Sequence, residues 1–592
     1  TLRVQLDDRL QAIADLSPVV QRVTETTRAI APPDGYTVHI TGIPFVRAEV
    51  VDLMIADEMV FFPLVTLMFL ITIVALFRRL WLGLVPLIGV LIATTWTMGV
   101  LLASGAVLNI LSVLTPTLVL VIGVADGIHL VSRYQEELAK KRDPEGAMGI
   151  TLRHMTIACF LTTFTTAAGF ASLLIADTKV IRDFGSQASI AVMITFFAVV
   201  VVVPTLLAWI PVERVGRPRG TLKHPFYQKV SRLVIGRPRT IIAVTLTLTL
   251  LAGWAGRGVS TDSGLLEMYR PGHPTWSAVQ AAEEKVGGVI PIFIHLEGES
   301  GQMMEPEVLK KVAALETVLQ GFDLTGATVS PAGWVQHFHT LLTGQSGWPE
   351  SREAVAQELL LAEMAGDLPI TKVLSADAGR ARILAITKDA GGREFLAAKH
   401  MLESEASRIF AGTGIDVDIT GDGMLASHGV DQLIRDLLSS LLLMLGVIVL
   451  TLFVLLRNIR LTLIATLPNL VPLVFILGAL GVLGADLQTS NIVSFTVAVG
   501  LAVDDTIHFI VRYREERRSG LDTALAITNT FNGAGHAIVL TSILLISGFG
   551  ILAFSPLNST HFFGTLACVT MAAALIGDLL ILPAMLRLFD KG

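Results

Sequence analysis

The chain has 592 residues, 52% of them apolar and 16% charged, with a mean hydropathy of +0.67. Soluble domains carry about 25% charged residues, so this composition excludes an ordinary soluble enzyme and reads as a polytopic membrane protein. A net charge of -6 and a pI near 6.1 supply no basic field for a nucleic-acid partner. Cys159 and Cys568 both lie in apolar runs, as buried small hydrophobes rather than a disulfide or a metal site.

In chain order, residues 1–42 alternate like a soluble strand and an amphipathic helix with no apolar leader. Residues 1–58 are therefore expected to be the remnant of a first extracytoplasmic domain. About 20 apolar residues cross a hydrocarbon core. Eleven stretches approach that length, near 59–77, 80–104, 106–131, 156–176, 189–211, 240–256, 437–456, 461–484, 490–511, 537–555 and 562–586. They divide the chain into a first bundle of five spans (59–211), a linker (212–239), an entry span (240–256), a soluble insert (257–433) and a second bundle of five spans (434–592).

Five short connections, those with Arg78 and Arg79, Arg133 to Arg153, Arg214 to Arg239, Arg457 and Arg460, and Arg512 to Arg518, hold 21 Lys and Arg. The opposite short connections hold only Lys179 and Arg182. By the positive-inside rule the first set is cytoplasmic and the insert faces outward, into the periplasm if the host is a Gram-negative bacterium. The linker carries eight of these basic residues with Pro218, Pro225 and Pro238; its charge sets topology first, with contact to anionic headgroups as a secondary role.

In the insert, "IPIFIHLEG" (290–298), "RILAITKD" (382–389) and "DVDIT" (416–420) read as strands, while 306–322 and 351–366 read as amphipathic helices. The strand, helix, strand order predicts an α+β domain of split βαβ units. "GWVQHFHTLL" (333–342) places His337 beside His339, but no Cys or acid in the stretch completes a metal set, so a half-buried loop or helix is expected.

An internal repeat joins these parts. "DGIHLVSRYQEE" (126–137) matches "DTIHFIVRYREE" (505–516) at seven of twelve positions, with an offset of 379. The same offset pairs "VHITG" (38–42) with "VDITG" (417–421), Gly169 with Gly548 and Pro204 with Pro583. The complete second copy has six spans, an even number, so both copies enter from the same face as a parallel repeat. Subtracting the offset puts the first copy's entry span about 140 residues before residue 1. The expectation is a twelve-span protein of which this chain lacks the start.

A charged residue at mid-span costs roughly 2.5–3.5 kcal/mol, so an intramembrane acid is a functional candidate by default. Asp126 matches Asp505, and Asp504 stands beside the latter where the first copy has Ala125. Spacings of three and seven put Asp126, His129 and Arg133 on one helix face, a stripe that Asp505, His508 and Arg512 repeat. Desolvation between helices favours the protonated form of a carboxylate, and a second acid alongside adds to the effect, so the pair can bind and release a proton. The histidines can pass that proton onward or tune the acids. Thr162 and Thr163, and in the second copy Thr541 and Ser542, can hydrogen-bond the acids. The competing structural reading is a static polar cluster that fixes helix register.

"GLAVDDTIHF" (500–509) within a duplicated six-span unit resembles the resistance-nodulation-division (RND) superfamily, in its hydrophobe/amphiphile exporter branch with the MMPL lipid transporters, hopanoid transporters and Patched. The resemblance covers essentially the whole chain. It implies porter-like domains outside the membrane and proton coupling through acids of the fourth and tenth spans, here those of Asp126 and of Asp504 with Asp505. The drug pumps of that superfamily pair two acids on the fourth span with a lysine on the tenth. Here the double acid is on the tenth and no intramembrane lysine occurs, which favours the lipid-handling branches and leaves the coupling ion as H+ or Na+.

The resulting expectation is a multi-pass protein of the cytoplasmic (inner) membrane that exports a hydrophobic or lipid-like substrate, with membrane lipids around it. Homo-oligomers and accessory proteins are left open. Without a P-loop or a nucleophile, base and orienter set, neither an enzyme nor a cofactor is expected. The alternatives are a non-transporting sensor or scaffold, since 59–211 also resembles the sterol-sensing domain, and a protein-translocation accessory like SecD and SecF.

Overall fold

The computed structural model of the chain describes residues 13–30, 37–106, 109, 111–140, 143–215, 225–260, 262, 264, 266–364, 370–487 and 489–590. After α1 (Ile13–Ala29), the first copy runs through α2 (Ile43–Phe77), α3 (Leu80–Ala103), α4 (Thr115–Ala139), α5 (Pro144–Ala171) and α6 (Lys179–Trp209). The short α7 (Val212–Val215) and α8 (Pro225–Gly236) lead to α9 (Pro238–Gly256). Within the expected linker, residues 216–224, Pro218 among them, lie outside the described residues, as do residues 1–12 and 31–36 of the expected first-domain remnant. The insert contributes α10 (Pro274–Val286), β1 (Ile290–Glu297), α11 (Pro306–Gln320), β2 (Thr325–Val329), α12 (Pro331–Thr343), α13 (Arg352–Met364), β3 (Arg380–Thr387), α14 (Gly392–Ile409) and β4 (Asp416–Gly421). The second copy then follows as α15 (Asp422–Leu456), α16 (Ile459–Leu483), α17 (Thr489–Arg518), α18 (Thr523–Leu552), α19 (Asn558–Ile576) and α20 (Leu582–Phe589).

The repeat is written into the backbone. Helices α2 and α15 are both 35 residues long, and their bounds differ by the same 379 residues. Each follows a glycine with positive φ, 125° at Gly42 and 133° at Gly421, and each is followed by an arginine in the left-handed region, 55° at Arg78 and 49° at Arg457. That region is costly for a residue with a Cβ, so its recurrence at matched places marks a turn the duplicated unit requires. The N-caps match as well: Asp143 accepts from Gly146 N at 3.0 Å and Asp522 from Leu525 N at 3.1 Å, satisfying a free amide at the start of α5 and α18.

One element breaks the match. α6 is continuous over 31 residues, whereas its counterpart is split into α19 and α20 by a π-helical turn, Gly577–Ile581.

Ten helical stretches among the described residues are long and apolar enough to cross a membrane, which makes this a multi-pass membrane protein. The eleventh expected span, near 490–511, falls within α17, several of whose first-turn side chains lie outside the described residues, and is not among the ten. α2 starts well before the expected 59, because Asp52, Asp57 and Glu58 interrupt the apolar run without interrupting the helix.

The chain divides into two units: Thr1–Asp52 with Asp262–Asp431, and Leu53–Thr261 with Gln432–Gly592. The first holds a four-stranded antiparallel sheet in the order β2-β3-β1-β4. Ile294 at its centre faces Ile383 on one side and Ile419 on the other. Ile290, Ile292, Ile294 and Leu296 alternate into a core shared with Leu309, Val312 and Leu315 of α11 and with Phe395 and Leu402 of α14. Burying each such side chain contributes about 1.5–3 kcal/mol. Two expectations need correction here. "VHITG" (38–42) forms no strand, unlike its match in β4, since no strand stands beside it among the described residues. His339 does have an acid neighbour, Glu358 of α13, at 2.7 Å, which sequence spacing did not reveal because it lies 19 residues on; His337 is exposed.

Candidate functional site

In the second unit α4 and α17 carry the acids. Asp126 and Asp505 are buried, 6% and 8% exposed, and Asp504 is half-buried. Asp126 Oδ2 accepts from Thr163 Oγ1 at 3.5 Å; Asp505 accepts from Thr541 Oγ1 at 3.3 Å and Ser542 Oγ at 3.1 Å. Thr163 and Ser542 occupy matched positions, so each copy supplies its acid with a hydroxyl from the following helix. Thr162 does not: its hydroxyl turns back to the Cys159 carbonyl at 3.0 Å. Thr166, one turn further along α5, reaches Asp504 Oδ1 at 3.4 Å and the Gly500 carbonyl at 3.1 Å. A hydroxyl of the first copy thus serves an acid of the second.

A fourth acid joins them. Asp578, in the π-helical turn and 1% exposed, accepts from Thr506 Oγ1. Asp504 lies within electrostatic reach of Asp126, Asp505 and Asp578. Among the described residues no Lys or Arg acts on these four carboxylates. The sequence did hold a signal for Asp578, an acid inside the apolar run 562–586, but a search for matched pairs passes over it because the first copy has Val199 there. Beside Asp126 sits the thiol of buried Cys159, and donor atoms of Asp126, Cys159 and His508 lie within 4.8 Å of one another. The expectation of Cys159 as a mere small hydrophobe therefore misses a polar neighbourhood.

One turn along from the acids, His129 and His508 stack with ring centroids 3.9 Å apart. Beyond them the arginines engage in a reciprocal pattern. Arg133 meets Glu137 at 3.2 Å and, across the repeat, Glu515 at 3.9 Å; Arg512 meets Glu516 at 3.0 Å and, across, Glu136 at 3.5 Å. A cavity of about 1000 Å³ reaches from this arginine-rich end to the two histidines, with Tyr227 and His536 on its wall. The Tyr227 hydroxyl and His536 Nδ1 are 3.1 Å apart, and burial pushes the Tyr227 phenol up to about 12, which keeps it a neutral hydroxyl.

At the other end of the bundle the copies exchange contacts. Asp57 of α2 accepts from Ser555 Oγ ahead of α19, while its match Asp436 of α15 accepts from Thr178 N at 3.0 Å and Thr178 Oγ1 at 2.9 Å, at the start of α6. Each copy's long first helix therefore holds the other copy's last one.

The MMPL family model matches residues 3–241 and 292–591. A membrane protein of Methanocaldococcus jannaschii is 22% identical over 378 residues, 62% of this chain and 94% of that one. ActII-3 of Streptomyces coelicolor is 31% identical over 241 residues, and the match spans 38% of this chain and 33% of ActII-3. The sulfolipid-1 exporter MmpL8 of Mycobacterium tuberculosis is 27% identical over 135 residues, 23% of this chain and 12% of the exporter. Two solved structures share the fold. The hedgehog release protein Disp of the water bear Hypsibius dujardini has a TM-score of 0.67 at 14% identity, covering 98% of this chain and 75% of Disp. SecDF of Thermus thermophilus, a translocon-associated membrane protein, has a TM-score of 0.59 at 17% identity, covering 94% of this chain and 64% of SecDF. The family match takes in both copies and the double acid of α17, and the chain belongs to the MMPL family.

Proposed function

We propose that the chain exports a hydrophobic or amphiphilic, lipid-like molecule across or out of the cytoplasmic membrane, driven by protons that bind and leave Asp126, Asp504 and Asp505. The observation that carries this reading is the cluster of buried and half-buried carboxylates with hydroxyl partners and, among the described residues, no arginine or lysine acting on them. Holding a bare charge in dry protein costs several kcal/mol, so such a cluster retains protons, and each proton that leaves creates a charge the two copies must rearrange to accommodate. His129 and His508 stand between the acids and the cavity and pass the proton toward the arginine-rich end, which the positive-inside rule makes cytoplasmic. Thr163, Thr541 and Ser542 orient the acids; Thr162 acts on them only through its own helix.

The name of MmpL8, a sulfolipid exporter, supports a lipid-like substrate. The insert then faces outward as a porter-like domain, in the periplasm of a Gram-negative host. The test is movement of a fluorescent lipid by the full-length protein in inverted membrane vesicles, with and without an uncoupler. Transport that needs the gradient and fails in Asp505→Asn supports the reading. Lipid movement that survives Asp505→Asn and the uncoupler alike removes the proton from the reading, and no lipid movement by well-folded wild type turns it toward a sensor or scaffold.

A further inference from the structure

Asp578 stands apart from the relay acids. Its Oδ1 accepts from Thr506 Oγ1, while its Oδ2, buried with the rest of the side chain, has no hydrogen-bond partner among the described residues. Thr506 Oγ1 is also 3.2 Å from Asn469 Oδ1. A hydroxyl has one proton to give, so it cannot satisfy both oxygens. The Asn469 amide nitrogen gives one of its two protons to the Ala465 carbonyl at 2.8 Å, and Oδ1 is the atom turned to Thr506.

The backbone adds another acceptor. Pro472 follows Pro468 by one turn of α16 and has no N–H, so the Pro468 carbonyl lacks its helical donor. That carbonyl lies 3.2 Å from where a Cβ on Gly577 would stand, packed against the π-helical turn. Asp578 Oδ2 and the Pro468 carbonyl beside the neighbouring Gly577 are thus two oxygens lacking a donor, and among the described residues neither Lys nor Arg acts on Asp578. An all-oxygen set with a single carboxylate suits a hard cation of low charge rather than a transition metal.

We propose that Asp578, Thr506, Asn469 and the Pro468 carbonyl form a binding site for a hard monovalent cation, the sodium ion, present in the second copy only. The asymmetry is part of the argument. Asp504 also lacks a match in the first copy, but it stands beside Asp505 in the helix, whereas the acid that replaces Val199 sits in a helix defect, and such π-turns recur at functional sites. Asp578 is also within electrostatic reach of Asp505, so sodium occupancy and the charge on Asp505 influence each other.

The test is thermal unfolding of the full chain, purified in choline chloride and titrated with NaCl, KCl or choline chloride at constant ionic strength. A saturable rise of about 2 °C or more with sodium, absent with potassium and choline, is expected. Asp578→Asn removes that rise, and Asp505→Asn keeps it. Thr506→Val, which preserves shape, carries the same expectation as Asp578→Asn if the latter folds poorly. Equal responses to the three salts in wild type, or a sodium response that survives both Asp578→Asn and Thr506→Val, would overturn the proposal. The readout is binding, so its result is independent of whether protons drive transport.

Discussion

His129 and His508 lie 379 residues apart in the chain and stack face to face, with ring planes 11° from parallel and centroids 3.9 Å apart. Matched residues touch each other only where the axis relating the two copies passes between them. The histidines therefore mark that axis, with the acids one turn to one side and the Arg–Glu network one turn to the other.

A relay through these rings needs their nitrogens, and packing needs only their shape. His129→Phe and His508→Phe keep a stacked pair, so each should melt close to wild type yet slow proton flux roughly tenfold or more. Melting curves and flux on the same preparations check this; flux at the wild-type rate in both variants would make the stack structural.

The hydroxyls on Asp505 differ from Thr162 in reach. Ser542→Ala removes one of two hydroxyl partners of a buried carboxylate and should cost about 1–3 kcal/mol of interaction with it, read as slower proton flux. Thr162→Val, whose hydroxyl bonds its own helix, should leave flux near wild type. Larger damage from Thr162→Val than from Ser542→Ala would contradict the geometry.

Gly169 and Gly548 are matched glycines that each admit a helix of the other copy. A Cβ would stand 2.4 Å from Met444 Cε at Gly169 and 2.4 Å from Phe69 Cε1 at Gly548. Overpacking costs typically about 1–3 kcal/mol, and Met yields more easily than a buried aromatic ring. Gly548→Ala should therefore lower the melting temperature more than Gly169→Ala, and Phe69→Leu should restore part of the loss.

The reciprocal ion pairs Arg133–Glu515 and Arg512–Glu136 bridge α4 and α17 at distances of 3.9 Å and 3.5 Å. Their side chains are partly exposed, so solvent screening limits each to about 1 kcal/mol or less. Arg512→Glu should destabilise by more than that through like-charge contact, and Arg512→Glu/Glu136→Arg should recover most of it. A double variant no better than the single one would show that the cross-pair carries no weight.

Much of the candidate site was legible because duplication writes most of its residues twice. Asp126 with Asp505, and His129 with His508, were found as matched pairs, and Thr163 with Ser542 do contact their acids. Of what duplication does not repeat, Asp504 was found only because it adjoins Asp505, and the rest stayed hidden. Asp578 replaces Val199, Cys159 replaces Ile538 by the same offset, and Thr166 serves an acid of the other copy. The exchange of α2 and α15 between copies also leaves no trace in hydropathy, because a span reads the same whichever helix it packs on. The fold of the insert was readable from alternation except for β2, only five residues long, and for "VHITG", where a strand-like sequence lacks a strand to pair with.

The central claim is that the shared acids carry protons between the copies. Its most direct test is proton flux, followed with a pH-sensitive dye in proteoliposomes of the full-length protein under an imposed gradient, for wild type, Asp126→Asn and Asp504→Asn/Asp505→Asn. The account predicts flux in wild type and its loss in both variants with folding intact. Equal flux in all three, or none in well-folded wild type supplied with lipid, would contradict it.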